Sequence, residues 1–272
     1  MSWKAIDVSK HQGTIDWKKV AADGVKAVFI RAGYGKYDTQ KDSQFDANVK
    51  GAYAAGIPIG IYWYSYATTV AEAREEASTC IRIIKPHKAK ITLPVFFDQE
   101  YEKGIVAAST AVRTAMCKAF MEEIAKAGYE SGLYCSYDWI RNKIGKVDGK
   151  KWIAQYSAQC GYTGSDLYMW QYSSKGSVAG IKGNVDMDRL YSDPQPKAES
   201  KWEKTDKGWK YGEYKTRWLK KDGAWYWFDG NGIAVTGWHS VNGTDYYFAD
   251  AAFARASGER VKECQCLEIT KD

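Results

Sequence analysis

The sequence predicts an α/β protein: an incomplete (β/α)8 barrel with parallel strands and some helices missing, followed by a small C-terminal module of β-hairpin repeats. Three observations predict this architecture. Short apolar runs alternate with helical patterns up to about residue 191, a proline-containing segment follows, and an aromatic repeat occupies the end of the chain. A chain of 272 residues accommodates a barrel of about 200 residues together with such an appendage.

Eight short apolar segments are the predicted barrel strands: 5–8, 27–32, 58–64, 93–98, 131–135, 152–156, 167–171 and 184–188. Segments with apolar residues at helical spacing lie between the early strands: 17–22, 44–55, 70–84 and 110–127. The later gaps between strands are too short for full helices. We therefore predict that helices are missing on one side of the barrel.

The composition changes after residue 192, where Pro194 and Pro196 interrupt the pattern. Beyond this point, the segment from Trp218 restarts at Trp238 with an offset of 20 residues. Asp-Gly and Asn-Gly pairs separate the strand-like runs of each unit and are typical of hairpin turns. We predict a barrel over 1–192, a linker over 193–200 and an aromatic-repeat module over 201–272, with a partial earlier repeat at 207–211.

The charge and the cysteines exclude several classes of protein. The net charge is +6 but includes no basic run, which argues against nucleic-acid binding. The longest apolar run is too short to cross a bilayer, and no signal peptide is visible, so we expect synthesis in the cytoplasm without membrane association. The six cysteines form no CxxC pair and are expected to be reduced; Cys264 and Cys266 have no nearby histidine and indicate a metal only weakly. We predict no metal and no cofactor.

Four carboxylates are the candidate chemical groups. Asp98 and Glu100 end the fourth predicted strand, and their two-residue spacing directs both to one face. Asp7 ends the first strand, and Asp186 lies on the eighth, its neighbour in a closed barrel. Crowded carboxylates raise one another's pKa, which keeps an acid protonated near neutral pH, and glycoside hydrolysis needs such a proton donor beside a second carboxylate. The alternative is that these acids are helix caps and solvated turn residues.

Several motifs resemble glycoside hydrolase family 25, the muramidases of phage lysins and bacterial autolysins: Asp7-Val-Ser-Lys-His-Gln-Gly13, Ile61-Tyr-Trp-Tyr-Ser65, Asp98-Gln99-Glu100, Trp170-Gln171-Tyr172 and Val185-Asp186. The resemblance covers about residues 1–191. It implies cleavage of the β-1,4 bond between N-acetylmuramic acid and N-acetylglucosamine in the peptidoglycan glycan strand. By position, Glu100 would be the proton donor and Asp98 its partner, which stabilises positive charge or assists as base. Asp7 and Asp186 would tune charge and hold substrate.

Aromatic residues are the candidate binding groups. Tyr62 and Tyr64 share one face of the third strand, and Trp170 lies near the end of the seventh; they would stack on sugars or else fill the barrel core. The tail resembles choline-binding and related cell-wall-binding repeats, whose aromatic cages hold a quaternary ammonium or a glycan. Its predicted ligand-binding residues are Trp218, Trp225, Tyr226 and Trp238. Oligomerisation through these repeats is a further possibility.

Other chemistries fit less well. Only three histidines occur, His11, His87 and His239, too few for a zinc amidase, and no cysteine has the setting of a cysteine endopeptidase. A non-catalytic wall-binding protein would not need all four acids. A lysin without a leader fits a phage enzyme that acts on the cell wall after release. A bacterial autolysin exported by another route is the alternative.

Overall fold

The computed structural model describes residues 2–194, 202–211, 215–221, 224–241 and 243–248. The chain divides into two compact units, Met1–Pro196 and Lys197–Asp272, called here the barrel and the hairpin module. The boundary between the units falls inside the predicted linker segment. Cys264 and Cys266, and with them the end of the module, lie outside the described residues.

Eight strands close into a barrel in sequence order. They are β1 (Trp3–Val8), β2 (Ala27–Tyr34), β3 (Ile59–Tyr64), β4 (Ile91–Asp98), β5 (Ser131–Ser136), β6 (Lys150–Ala154), β7 (Leu167–Gly176) and β8 (Val185–Leu190). Strands β1 to β7 pair in parallel. All eight predicted strand positions are therefore confirmed, with ends that differ by a few residues.

The last strand departs from the prediction of an all-parallel barrel, because β8 runs antiparallel to both β7 and β1. The connection from β7 to β8 covers only residues 177–184. That is shorter than the crossover of about a dozen residues that a parallel pair requires. The reversal brings the start of β8, rather than its end, to the mouth formed by the carboxyl ends of the other strands.

Six α-helices surround the early strands: α1 (Trp17–Ala22), α2 (Phe45–Ala54), α3 (Val70–Ile84), α4 (Lys103–Ala107), α5 (Thr110–Lys126) and α6 (Tyr137–Asn142). The side chains of Thr69, Ser109 and Ser136 cap the first turns of α3, α5 and α6. Within residues 2–194, no α-helix lies between β6 and β8. The predicted absence of helices on one side is confirmed. No helix in the described part of the chain is long and apolar enough to span a membrane.

Side chains alternate between the inside of the barrel and the layer of helices outside it. The interior holds a cluster of mainly aromatic side chains: Ala5, Ala27, Phe29, Leu93, Phe96, Tyr134, Trp152, Tyr168, Met169 and Leu190. Two glycines make room for these rings. A Cβ on Gly60 would lie 2.2 Å from Cε1 of Phe29, and one on Gly132 would lie 2.4 Å from Cε1 of Phe96. Because these side chains fill the interior, the polar side chains on the same inward faces lie at the mouth of the barrel.

The hairpin module contains three described β-hairpins. They are β9 (Trp202–Thr205) with β10 (Gly208–Tyr211), β11 (Arg217–Lys221) with β12 (Ala224–Phe228), and β13 (Gly237–Val241) with β14 (Thr244–Phe248). Gly243 lies in the turn between β13 and β14 with a φ of 84°, a conformation that glycine adopts without strain. The predicted hairpins are confirmed, and the partial repeat at 207–211 is the second half of a hairpin that begins at Trp202.

Candidate functional site

The four predicted acids, Asp7, Asp98, Glu100 and Asp186, line one cavity of about 350 Å³ at the mouth of the barrel, named here the carboxylate cavity. Asp7 and Asp98 occupy inward-facing positions of β1 and β4. Glu100 lies two residues beyond Asp98 and continues the same alternation past the end of β4. Asp186 lies directly opposite Asp7 in the antiparallel pair of β1 and β8. The structure therefore brings together the carboxylates that the sequence analysis selected.

Asp98 and Glu100 are hydrogen-bonded to each other. Burial raises the pKa of Asp98 well above its ordinary value, and the neighbouring charge of Glu100 adds to the rise. Burial also raises the pKa of Glu100. Two buried carboxyl groups in contact cannot both ionise readily, so the pair retains a proton at a higher pH than isolated acids do.

Asp7 and Asp186, which line the cavity, form a second cluster of carboxyl groups with the fully buried Asp188. Burial, followed by the charges of Asp188 and Asp186, raises the pKa of Asp7 well above its usual range. Burial likewise raises the pKa of Asp188, whose Oδ1 accepts a hydrogen bond from Nε1 of Trp152 at 2.8 Å. The acids in and beside the cavity are therefore too crowded to be ionised together readily.

Gln171 links the acids to the aromatic wall. Its Nε2 donates to Oδ2 of Asp7 at 2.8 Å, and its Oε1 accepts from the hydroxyl groups of Tyr134 and Tyr156, each at 3.0 Å. Because two hydroxyl groups occupy the amide oxygen, the amide nitrogen is directed at Asp7. This arrangement holds the Asp7 carboxylate in one orientation.

Arg31 brings a positive charge to the carboxylate cavity. Its Nε donates to Oδ2 of Asp42 at 2.8 Å, and its side chain is 12% exposed while that of Asp42 is 0% exposed. Asp42 also accepts from the backbone N–H groups of Lys10 at 3.0 Å and Gln44 at 2.9 Å. The charge of Arg31 opposes the rise in the pKa of Asp98. Asp42 thus positions the cation that favours ionised Asp98.

The predicted aromatic residues of the barrel separate into two groups. Tyr62 and Tyr64 line the carboxylate cavity, and the hydroxyl of Tyr64 donates to Oε1 of Glu102 at 2.6 Å. Trp170 does not line it. Its ring is 3% exposed and its Nε1 donates to the backbone oxygen of Gln155 at 2.7 Å. The sugar-stacking position expected of Trp170 therefore differs from its place in the structure.

The sequence analysis did not select several residues in and around the site: Arg31, Asp42, Glu102, Tyr134, Trp152 and Asp188. It also did not predict the hydrogen bond from Gln171 to Asp7. The inward alternation of each strand would have indicated Tyr134 and Asp188, since both share a strand face with residues of the barrel interior. Among the described residues, no group of three or more His, Cys, Asp or Glu side chains is arranged to hold a metal ion.

The aromatic side chains of the hairpin module form two clusters with matching geometry. In one, the ring of Trp218 lies 6.0 Å from Trp225 at 87° and 5.0 Å from Tyr246 of the next hairpin. In the other, the ring of Trp202 lies 6.5 Å from Trp209 at 89° and 4.8 Å from Tyr226 of the next hairpin. Each cluster therefore combines two Trp of one hairpin with a Tyr of the following one.

The clusters group the predicted residues of the module differently from the sequence analysis. Trp218 and Trp225 lie together, but Tyr226 belongs to the cluster of Trp202. Trp238 packs on Tyr247 within the third hairpin at 5.6 Å and is 46% exposed. The missed member of the cluster around Trp218 is Tyr246, which the 20-residue offset aligns with Tyr226.

Comparisons with known proteins agree with this architecture. The sequence pattern of glycosyl hydrolases family 25 matches residues 6–181, and that of the putative cell wall binding repeat matches 216–234 and 236–251. The chain is 29% identical over 190 residues to an autolytic lysozyme of Clostridium acetobutylicum, covering 69% of this chain and 55% of that protein. It is 28% identical over 202 residues to lysozyme M1 of Streptomyces globisporus, covering 69% of this chain and 67% of that protein.

Among solved structures, the modular autolysin LytC of Streptococcus pneumoniae matches with a TM-score of 0.62 and 28% identity, over 70% of this chain and 47% of that one. LytC has also been solved in complex with a synthetic peptidoglycan ligand. This chain thus spans about half the length of the first relatives it matches. The family pattern covers more than half of the chain, residues 6–181, so the chain belongs to glycosyl hydrolases family 25.

Proposed function

We propose that this protein is a peptidoglycan hydrolase, an N-acetylmuramidase that cleaves the β-1,4 bond between N-acetylmuramic acid and N-acetylglucosamine. The observation that carries the proposal is the convergence of Asp7, Asp98, Glu100 and Asp186 on one cavity of a family 25 barrel. The relatives named as lysozymes and autolysins support the same chemistry.

Glu100 is the proton donor in this proposal. Burial raises its pKa, which favours the protonated form that a general acid needs near neutral pH. The proton passes from Glu100 to the glycosidic oxygen as the bond from that oxygen to the anomeric carbon breaks. The sugar that keeps the anomeric carbon develops positive charge. Water then adds to that carbon, and a proton of this water passes to the Glu100 carboxylate.

Asp98 stabilises that positive charge in preference to activating a water as base. An inverting pair of carboxyl groups lies about 6.5–9.5 Å apart so that a water molecule fits between the base and the sugar. Asp98 and Glu100 instead interact directly through their side chains, which is closer than the spacing of an inverting pair. Arg31, held by Asp42, favours the ionised Asp98 that this electrostatic role requires.

Asp7 and Asp186 hold substrate and add negative potential on the other side of the cavity. Gln171 orients Asp7, and the antiparallel register sets Asp186 beside it. Tyr62 and Tyr64 offer ring surface and hydroxyl groups to the sugar within the same cavity. These roles assign each lining acid a function in binding or in charge stabilisation.

The hairpin module binds a polymer of the bacterial cell wall in this proposal. Its pattern matches the putative cell wall binding repeat, and its clusters present Trp and Tyr rings in perpendicular pairs. Such rings accommodate a quaternary ammonium group, as in choline, or the apolar face of a glycan. Trp225, at 44% exposure, offers the most accessible ring of the cluster around Trp218.

The biological role that fits best is a lysin of phage type that acts on the cell wall after its release. A bacterial autolysin of the same chemistry is the second candidate, favoured by the autolysins among the relatives. Oligomerisation through the aromatic repeats stays a prediction.

The chemistry is tested on purified Gram-positive cell walls by following two products in parallel, new reducing ends and new amino groups. A muramidase releases reducing ends without amino groups, whereas an amidase or endopeptidase releases amino groups. Release of amino groups alone would contradict the proposal. Binding to walls without release of either product would favour a non-catalytic wall-binding protein.

A further inference from the structure

Glu76, on α3, is a buried carboxyl group that does not line the carboxylate cavity. Only 1% of its surface is exposed, and its Oε1 accepts a hydrogen bond from the backbone N–H of Tyr66 at 2.8 Å. Hydrogen bonds from the hydroxyl of Ser65 and the backbone N–H of Ala67 also favour its carboxylate form. Three consecutive residues of the segment 65–69, named here the β3–α3 connection, therefore converge on this one acid.

The burial of Glu76 costs free energy, since it raises the pKa of this carboxyl group to about 7. The charge of Glu72, one turn earlier on α3, adds to the rise. A neutral side chain of similar size would not carry this cost. Stability alone therefore does not account for a glutamate at this position, and a buried acid with a shifted pKa beside an active site is a candidate for a functional role.

The β3–α3 connection is attached to the acids of the site by hydrogen bonds. The backbone N–H of Ser65 donates to the backbone oxygen of Asp98 at 2.9 Å. Tyr64, the last residue of β3, pairs with Asp98 in the parallel register, and its hydroxyl donates to Oε1 of Glu102 at 2.6 Å. The backbone N–H of Glu102 donates in turn to the backbone oxygen of Glu100 at 2.9 Å. The connection therefore supports the segment that carries both acids of the pair.

Packing reinforces these hydrogen bonds. The ring of Tyr66, whose backbone Glu76 holds, packs against Tyr64 at 5.3 Å. Farther along the connection, Thr68 lies against α4, so closely that a Cβ on Gly104 would lie 2.6 Å from its Cγ2. A change in the position of the connection is therefore transmitted to the chain on both sides of the acids.

We propose that Glu76 is a positioning residue for the catalytic acids: by fixing the β3–α3 connection, it holds Asp98 and Glu100 in the geometry that cleavage of the glycosidic bond requires. This inference rests on the proposed function and adds to it a residue outside the cavity. A carboxylate accepts from several donors at once, whereas a glutamine amide has one accepting oxygen and an NH2 group that only donates. Glutamine at this position therefore leaves part of the connection without its partner.

The test measures kcat and KM of Glu76→Gln from the release of reducing ends from a peptidoglycan tetrasaccharide. We expect kcat to fall about tenfold while KM changes less than about twofold, because acids that are displaced by a fraction of an ångström lose mainly transition-state stabilisation. The denaturant midpoint of unfolding at pH 7 should be no lower than that of wild type, since a buried charge is removed. A merely structural role predicts the reverse, a lower midpoint with an unchanged kcat.

Glu75→Gln is the matched control, since it makes the same change at the adjacent position of α3, where the side chain is 59% exposed. It should alter neither kcat nor the midpoint of unfolding. An unchanged kcat for Glu76→Gln, or an equal loss of kcat in both variants, would overturn the proposal. Wild type that releases no reducing ends would overturn the proposed function and this inference with it.

Ser65→Ala tests whether Glu76 acts through the connection. It removes the hydroxyl donor to Glu76 but keeps the backbone bond to Asp98, and we expect kcat to fall about threefold. The double variant should be no slower than Glu76→Gln within about twofold, because both changes remove the same contact. Losses that multiply would overturn the proposal. Where Glu76→Gln does not fold, Ser65→Ala with a kcat equal to that of wild type would overturn it as well.

Discussion

Nε2 of Gln171 donates a hydrogen bond to Oδ2 of Asp7 at 2.8 Å and so joins β7 to β1 at the mouth of the barrel. The amide oxygen of Gln171 accepts from Tyr134 and Tyr156, which prevents the amide from turning its oxygen toward the carboxylate. The hydrogen bond favours the ionised form of Asp7, against burial and the charges of Asp188 and Asp186. Gln171 is therefore a positioning residue for this acid.

Replacing Gln171→Leu removes the donor to Asp7 while keeping a side chain of similar length. We expect kcat to fall about 10- to 100-fold, because a catalytic group displaced by about 1 Å costs on the order of 10²-fold. Steady-state rates on solubilised peptidoglycan measure this effect. Gln159→Leu is the matched control, since it makes the same change at an exposed position that does not line the cavity. Equal rates for Gln171→Leu and wild type would exclude the positioning role.

The buried pair of Arg31 and Asp42 should contribute more to stability than exposed pairs of the same type. Asp42→Ala leaves Arg31 without its counter-charge in a largely buried place, and we expect a loss of about 3 kcal/mol in the free energy of unfolding. Asp38→Ala breaks the pair with Arg82, whose side chains are 65% and 56% exposed, and should cost less than about 1 kcal/mol. Denaturant unfolding of the two variants compares these losses, and losses of similar size would contradict the account.

Asp188 should lower stability at neutral pH, because its pKa is raised in the folded state by burial. The folded protein then binds this proton more tightly than the unfolded chain, so stability falls as pH rises from the unfolded pKa of about 4 through the raised folded value. In Asp188→Asn, the amide oxygen can still accept from Trp152, and no charge develops beside Asp7. We expect a gain of roughly 1–3 kcal/mol at pH 7 that disappears near pH 4.

Thermal unfolding as a function of pH measures this difference. Asp148→Asn is the control, since the side chain of Asp148 is 88% exposed, and its stability should follow that of wild type. A gain for Asp188→Asn that is the same at pH 4 and pH 7 would show that the carboxyl charge is not its cause.

Wall binding should depend on the aromatic clusters of the hairpin module and not on the carboxylate cavity. Trp225→Ala removes an exposed ring of the cluster around Trp218, and we expect about a tenfold weaker binding to purified walls in a sedimentation assay. The rate on a soluble tetrasaccharide should not change. His239→Ala, an exposed position on β13, is the control. Unchanged wall binding by Trp225→Ala would remove this cluster from the binding surface.

The barrel could be predicted from the sequence because each strand combines an apolar run with a turn or helix signal. The direction of β8 was not predictable from apolar pattern alone, since parallel and antiparallel strands read alike within a segment. The short connection over residues 177–184 is what indicates an antiparallel β8, because a parallel crossover needs more residues. This reversal also explains how Asp186, near the start of its strand, comes to lie opposite Asp7.

The acids of the site were predictable, and their partners largely were not. Asp98 and Glu100 follow from local spacing on one strand. The pairing of Arg31 with Asp42 depends on the path of the chain after β2, and the contact of Gln171 with Asp7 joins positions 164 residues apart. The position of Trp170 could not be predicted from the sequence. An aromatic residue that is buried in the barrel and one that lines the cavity give the same sequence pattern.

The central claim is that Glu100 donates the proton that breaks a glycosidic bond of peptidoglycan. The most direct measurement is mass spectrometry of fragments released from purified Gram-positive walls by wild type and by Glu100→Gln. We predict fragments that end in a reducing N-acetylmuramic acid from wild type and none from the variant. Free peptides from wild type, or the same muramic-acid-ended fragments from Glu100→Gln at an undiminished rate, would contradict the account.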